Sequence, residues 1–281
     1  MSNGIRVLVT GHEGFIGSHV ASTLKSRNCQ VIGFDRVRGI DILILDQLDS
    51  MAEQFKPNWI VHLAAQVFLM PSLENPQEDA MTNIIGTLNV LEVARKYNCG
   101  VIFSSSGAVY GNNYQYPEPI SPYGMSKLTA ERYCLLYNTL YNLPVVVFRF
   151  SSVYGKGRKP TSINLILEKA IKNQPIQITG DGTQTRDFTN VSDIVEAISM
   201  AVNNKFPSGV YDVGTGTSTS LNELIRLIEQ LLNKKLTVES LPPVQADPKR
   251  NELNVSKAAM YGFKAKVSLT DGLKQLIAEM K

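Results

Sequence analysis

The segment SPYGMSK sets Tyr123 and Lys127 four residues apart at the opening of an amphipathic stretch. If that stretch is a helix, both side chains project from one face. A phenol, with an ordinary pKa of about 10, is a poor base at neutral pH. A fixed ammonium beside it favours the phenolate, and the positive start of a helix adds to the effect. The pair could therefore carry a proton to and from a substrate hydroxyl, although the same spacing also occurs as a solvated surface pair. Lys127 could in addition donate to the ribose hydroxyls of a nicotinamide nucleotide, tying the base to the place of hydride transfer. Upstream, SSSGAVYG ends an apolar run on Ser104, Ser105 and Ser106, and continues with Gly107 and Ala108, neither of which can move a proton.

A second chemical feature lies near the start. TGHEGFIG places Gly11, Gly14 and Gly17 between an apolar run and an amphipathic one, where glycine lets a phosphate approach the backbone at a helix N-terminus. A tight turn alone would also explain them. Asp35 ends the next apolar run, at the position where an acid accepts hydrogen bonds from an adenosine ribose and repels a 2′-phosphate. That favours NAD, while Arg36 and Arg38 beside it leave NADP open.

These residues need a scaffold, and the hydrophobic pattern supplies one. IRVLVT, QVIGFD, WIVHLA, GVIFSS and PVVVFRF are too continuously apolar for one-sided burial and are predicted as central parallel strands. Helices are predicted near 15–27, 47–55, 77–97 and 121–141, the last with Ser121 as N-cap and Pro122 as first helical residue. The alternation predicts an α/β fold, a Rossmann-type doubly wound parallel sheet with a smaller mixed α/β substrate domain. The dinucleotide-binding domain is expected over 1–159, with 186–215 returning to it. The substrate domain is expected over 160–185 and 216–281, with helices near 161–172, 192–203 and at LNELIRLIEQLL.

Composition narrows the classes. The chain has 281 residues, 43% of them hydrophobic, enough for one large core or a core with a companion. The net charge of +3 arises from 28 basic and 25 acidic residues without a cationic run, so nucleic acid is not an expected partner. Cys29, Cys99 and Cys134 are scattered and read as reduced core thiols, with no metal site expected. The opening MSNGIRVLVT lacks the pattern of a signal peptide, and no apolar run is long enough to span a membrane. A soluble cytoplasmic protein is the expectation.

TGHEGFIG, Asp35, HLAA, NIIGT, SSSGAVYG, SPYGMSK and GDGTQTRDFTNVSDIVEA stand in an order and spacing that resembles the extended short-chain dehydrogenase/reductase family, above all its nucleotide-sugar epimerases and dehydratases. The resemblance runs over nearly the whole chain. It implies that Tyr123 is the base, that Lys127 lowers its pKa, and that the Ser counted back from VYG, Ser106, bonds the sugar oxygen. It also implies Phe15 and Ile16 at the pyrophosphate turn, Asp41 and Ile42 at the adenine, and Leu63, Ala64, Ala65 and Asn83 along the cofactor. Arg186 matches an arginine for the substrate diphosphate; its alternative is a salt bridge with Asp187. His62, His12 and His19 are expected to be packed residues, not ligands.

The sugar side departs from the family pattern. Ser152 stands where Asn is usual, Gln245 where many members have Arg before the acid matching Asp247, and Arg250 is a candidate replacement. The loop between VYG and SPYG is short. Because dehydratases of this family carry an acid after the Ser or Thr, Gly107 and Ala108 disfavour 4,6-dehydration and decarboxylation. The resemblance thus implies an NAD-dependent nucleotide-diphosphate-sugar 4-epimerase working through a transient 4-keto sugar, as a homodimer through helices 77–97 and 121–141. A 4-ketoreductase of a nucleotide-linked 4-keto-6-deoxyhexose using NAD(P)H, or a non-catalytic dinucleotide-binding regulator, are the alternatives.

Overall fold

The computed structural model describes residues 4–113, 115–157, 162–244 and 246–280. The five apolar runs become β1 (Arg6–Thr10), β2 (Gln30–Phe34), β3 (Trp59–His62), β4 (Gly100–Ser106) and β5 (Val145–Phe150). Between them lie α1 (Phe15–Ser26), α2 (Leu45–Phe55), α3 (Leu69–Glu74), α4 (Pro76–Ala80), α5 (Gly86–Tyr97) and α6 (Pro122–Tyr141). The second half follows as β6 (Ser152–Tyr154), α7 (Ser162–Ile171), β7 (Ile176–Thr179), β8 (Thr185–Arg186), β9 (Phe188–Asn190) and α8 (Val191–Val202). It closes with β10 (Gly209–Val213), β11 (Thr219–Ser220), α9 (Leu221–Leu232), β12 (Val238–Leu241), α10 (Ser256–Ala259) and α11 (Leu269–Met280).

Six strands form one parallel sheet in the order β10-β5-β4-β3-β1-β2. The period-2 alternation of a strand sorts its side chains between two helix layers. Val7 and Val9 of β1, Trp59 and Val61 of β3, and Val146 and Phe148 of β5 join one core with α1 and α8. Leu8, Ile60, Val145 and Val147 join the other, under α2, α5 and α6. A third core, from Tyr154, Ile163, Leu167, Phe188, Leu224, Ile228, Leu273 and Ile277, holds the second half together. Ala258 and Phe263, late in the chain, nevertheless pack into the first core.

Strand order reverses between β1 and β3, so a crevice opens beyond their carboxyl ends at Thr10 and His62. The helix starts follow the sequence. Ser121 Oγ accepts from the Gly124 amide at 3.1 Å with Pro122 next to it, and Ser220 with Glu223 forms a capping box at α9. The helix predicted over 77–97 is instead α4 and α5 joined by a π-helical turn at Met81–Ile85. The predicted boundary at 159/160, the predicted helix start at 161 and Gln245 lie outside the described residues. Among the described residues no helix is long and apolar enough to cross a membrane.

Candidate active site

A cleft of about 960 Å³ opens at the strand-order reversal and continues between the sheet and the second half of the chain. Its floor starts at the β1–α1 turn. Gly11 has φ +70°, and a Cβ there would sit 2.7 Å from the Ala64 nitrogen; a Cβ on Gly17 would lie 2.0 Å from the Gly11 carbonyl oxygen. Glycine is therefore required for this turn to close. Gly14 N-caps α1 without a side chain, and the first turn carries no acid, so the positive helix end faces the cleft. The cradle fits a dinucleotide pyrophosphate, and Gly11, Gly14, Phe15, Ile16, Gly17, Leu63, Ala64 and Ala65 all line it.

At the adenosine end the carboxylate of Asp35 accepts from the Glu13 and Val37 amides at 2.8 and 3.1 Å. The neighbouring cations are engaged by acids: Arg36 with Asp41 at 3.3 Å, and Arg38 with Glu13. An acid at the end of β2, placed to accept from ribose hydroxyls and to repel a 2′-phosphate, describes a site for a ribose. Ile42, expected at the adenine, lines the cleft, whereas Asp41 does not. Its carboxylate serves the Leu43 amide at 3.0 Å and Arg36.

The three serines separate cleanly. Ser104 Oγ donates to the His62 carbonyl at 3.1 Å, and Ser105 Oγ donates to the fully buried Glu131 at 3.0 Å. Ser106 N-caps the 3₁₀ turn Gly107–Tyr110, accepting from the Ala108 amide at 3.1 Å, and lines the cleft with Ala108, Tyr123 and Lys127. At the two positions after Ser106 the protein presents a buried backbone and a methyl group, where a dehydratase would need an acid.

Lys127 is 2% exposed; its Nζ donates to the Ser104 carbonyl at 2.8 Å and lies 5.0 Å from the Phe103 ring centre. Burial pushes its pKa down from 10.5 to about 8, with Asp79 and Cys134 acting in the opposite direction. His62 is a core residue between the Thr10 and Thr87 hydroxyls at 2.7 and 3.0 Å, its pKa driven to about 3 by burial and by Lys127. It is held neutral and faces no substrate.

Behind the serines sits a network absent from the sequence-based expectations. Glu131, one helical turn after Lys127, takes Arg149 in a two-pronged pair at 2.9 and 2.5 Å, and Arg149 reaches the Tyr110 hydroxyl at 2.6 Å. Tyr110 in turn donates to Asp212 of β10 at 2.9 Å. The signal was present in PVVVFRF: an arginine inside a continuously apolar strand demands a buried anion.

On the sugar side Ser152, Arg186 and Asp247 line the cleft. Arg186 pairs with Asp247 at 2.5 Å and bonds the Pro248 carbonyl at 2.7 Å. The alternative partner Asp187 points away: buried, it accepts from Thr215 and Gly216 amides, each at 2.9 Å. Arg250 lies outside the cleft lining and pairs with Glu252 at 2.7 Å. Asn83 also stands behind the wall, buried, bonding both backbone groups of Gln66 at 3.0 Å. Among the described residues no three His, Cys, Asp or Glu side chains are grouped to hold a metal ion.

Comparison with known proteins identifies the family and the fold. A sequence profile of the NAD dependent epimerase/dehydratase family matches residues 7–214. A putative UDP-glucose 4-epimerase of Methanocaldococcus jannaschii is 36% identical, over 98% of either chain. The crystal structure of Thermus thermophilus UDP-glucose 4-epimerase in complex with NAD superposes with a TM-score of 0.92 at 29% identity, covering 98% of this chain and 99% of that one. UDP-glucuronic acid 4-epimerase of Bacillus cereus, in complex with UDP-glucuronic acid and NAD, gives a TM-score of 0.90 at 29% identity, covering 99% and 100%.

Proposed function

The chain belongs to the NAD dependent epimerase/dehydratase family, and from that premise we propose that it inverts C4 of a nucleotide-diphosphate sugar through a transient 4-keto intermediate. NAD is its cofactor, and when bound supplies the acceptor and donor of hydride. The observation that carries the reading is the single cleft wall bearing Ser106, Ala108, Tyr123 and Lys127: proton-transfer groups for one hydroxyl, and none for an elimination.

Tyr123 takes the C4 hydroxyl proton as the ketone forms and returns it as the alcohol is restored. Ser106 bonds the same oxygen in both states, its hydroxyl held by the turn it caps. Lys127, buried on the same helix face, donates toward the nicotinamide ribose and supplies the positive charge a phenol needs to act as a base at neutral pH. Asp35 receives the adenosine ribose, and the turn Gly11–Gly17 receives the pyrophosphate. Arg186 offers its guanidinium fork to the substrate diphosphate, with Asp247 and Ser152 at the nucleotide and sugar. The substrate class is a UDP-sugar, supported by the relatives that bind UDP-glucuronic acid or act on UDP-glucose.

The domain reading divides 1–159 with 186–215, which bind the dinucleotide, from 160–185 and 216–281, which bind the sugar nucleotide. The third core, drawn mainly from α7, α9 and α11, supports it, while Tyr154 and Phe188 also join that core and Ala258 and Phe263 pack into the first. A homodimer is part of the proposal: Leu136, Leu140 and Tyr141 of α6 and Met81 and Ile85 before α5 are apolar and exposed. Light scattering at micromolar concentration is expected to give twice the mass of one chain; the mass of a single chain would refute it. A reducing cytoplasm suits the three free thiols.

The test begins with nucleotide released on denaturing the purified protein, identified by mass spectrometry. One NAD or NADH per chain is expected, together with interconversion of C4 epimers in a panel of UDP-hexoses, because an epimerase regenerates its cofactor in every cycle. A protein that arrives empty and only consumes NADPH with a 4-keto sugar would replace this proposal with the ketoreductase. No turnover across the panel would leave the non-catalytic regulator.

A further inference from the structure

Asp79, on α4, is 1% exposed, and one of its carboxylate oxygens has no hydrogen-bond partner among the described residues. The other accepts from Gln66 Nε2 at 2.9 Å and Asn83 Nδ2 at 3.1 Å. Among the described residues no cation lies within salt-bridge reach of this carboxylate, and no carboxylate lies within reach of Lys127, the buried cation on the neighbouring α6. The two are linked through the wall: the Asn83 amide that bonds Asp79 also reaches Ser126 Oγ at 3.0 Å, and Ser126 adjoins Lys127. Asn83 lies within the π-helical turn at Met81–Ile85.

Two opposite charges buried on packed helices, neither in an ion pair among the described residues, act on one another through a medium that screens weakly. We infer that Asp79 is a positioning residue of the reaction, the buried counter-charge that keeps the Lys127 ammonium charged behind the cofactor and the catalytic phenol. The inference rests on the role given to Lys127 above. The other groups facing Lys127 do not serve: His62 of β3 is held neutral, Cys134 of α6 is held as the thiol by burial, and Glu131 of α6 is committed to Arg149. Tyr123, one turn away, is the group Lys127 is there to serve. Burial drives Lys127 toward the free amine, and Asp79 is the carboxylate that opposes it.

Asp79→Asn separates charge from shape, since the amide oxygen can still accept from Gln66 and Asn83. In the full-length chain labelled with ¹³C-lysine, the Lys127 resonance is assigned by its absence from Lys127→Met and titrated by NMR. The Asp79→Asn variant should titrate about one pH unit below wild type, a tenfold change in the ratio of ammonium to amine. The alkaline limb of the pH–rate profile should move with it, and activity lost at pH 8 should recover at pH 6.5. An unmoved lysine titration overturns the inference whether or not the proposed epimerisation is observed, so the two failures are distinguishable.

A double-mutant cycle in nucleotide-free protein covers the case in which Asp79→Asn does not fold. In the Lys127→Met background the carboxylate has lost its counter-charge, so Asp79→Asn should be better tolerated there, by at least fivefold in the unfolding equilibrium constant. A double variant that folds where the single one fails is the same result. Equal effects in both backgrounds, or a double variant that also fails, show that Asp79 only braces the wall and overturn the inference.

Discussion

Tyr123→Phe is expected to lower kcat by about a thousandfold while the protein still carries its NAD, because general acid–base groups contribute on the order of 10²- to 10⁴-fold and this substitution removes only a phenol oxygen. Tyr123 lies in the first turn of a helix whose start is fixed by Ser121 and Pro122, so the phenylalanine ring occupies the same place. The fold, the glycine turn and Lys127 are untouched, which predicts an unchanged nucleotide content and a KM within a few fold of wild type. The loss should fall on kcat, since the missing bond is one that changes between ground state and transition state. Nucleotide content by mass spectrometry and C4 inversion of a UDP-sugar by chromatography decide the matter. A variant retaining more than a tenth of wild-type kcat would remove Tyr123 from the proton path and leave Ser106 and Lys127 as a site without a base.

How much of this was legible beforehand depends on whether a feature is written in one segment or made by several. The five apolar runs gave their strands to within a few residues, since a two-sided parallel sheet leaves no polar face to confuse the pattern. β10 escaped notice: GVYDV, as long as β1, opens on a glycine and bears Asp212 near its end, and only its pairing with β5 makes it the sixth strand. The glycine turn and the start of α6 were readable because backbone geometry there demands particular residues. The wall behind Lys127 was not. Asp79, Asn83 and Glu131 sit in polar-looking helical stretches, yet all three are buried, and their partners Gln66, Ser126, Ser105 and Arg149 come from other segments. Local pattern reports which residues face inward as a stripe; it does not report which inward polar residues find one another.

Lys127→Met supplies the second large effect, and it points in opposite directions for stability and for turnover. The folded chain holds the lysine near pKa 8 against an ordinary value of 10.5, burial being the main cause. The folded state therefore binds its proton less readily than the unfolded state does. The penalty is present in full below about pH 8, shrinks as pH rises toward 10.5, and is gone above it. A difference of this size corresponds to about 3 kcal/mol at neutral pH. Losing the bond to the Ser104 carbonyl returns about 1 kcal/mol, leaving a net gain of about 2 kcal/mol for the methionine. For a chain of 281 residues that is a rise in Tm of roughly 3–4 °C. Nucleotide-free wild type and variant should differ by this amount at pH 7 and by much less near pH 10, while the variant loses turnover at every pH. A variant no more stable than wild type at pH 7, or a gap that ignores pH, would mean that the ammonium is not held at a cost. A charge maintained against its own burial, with Asp79 as its support, is then what this site gives up in stability to keep a phenol ready to move protons.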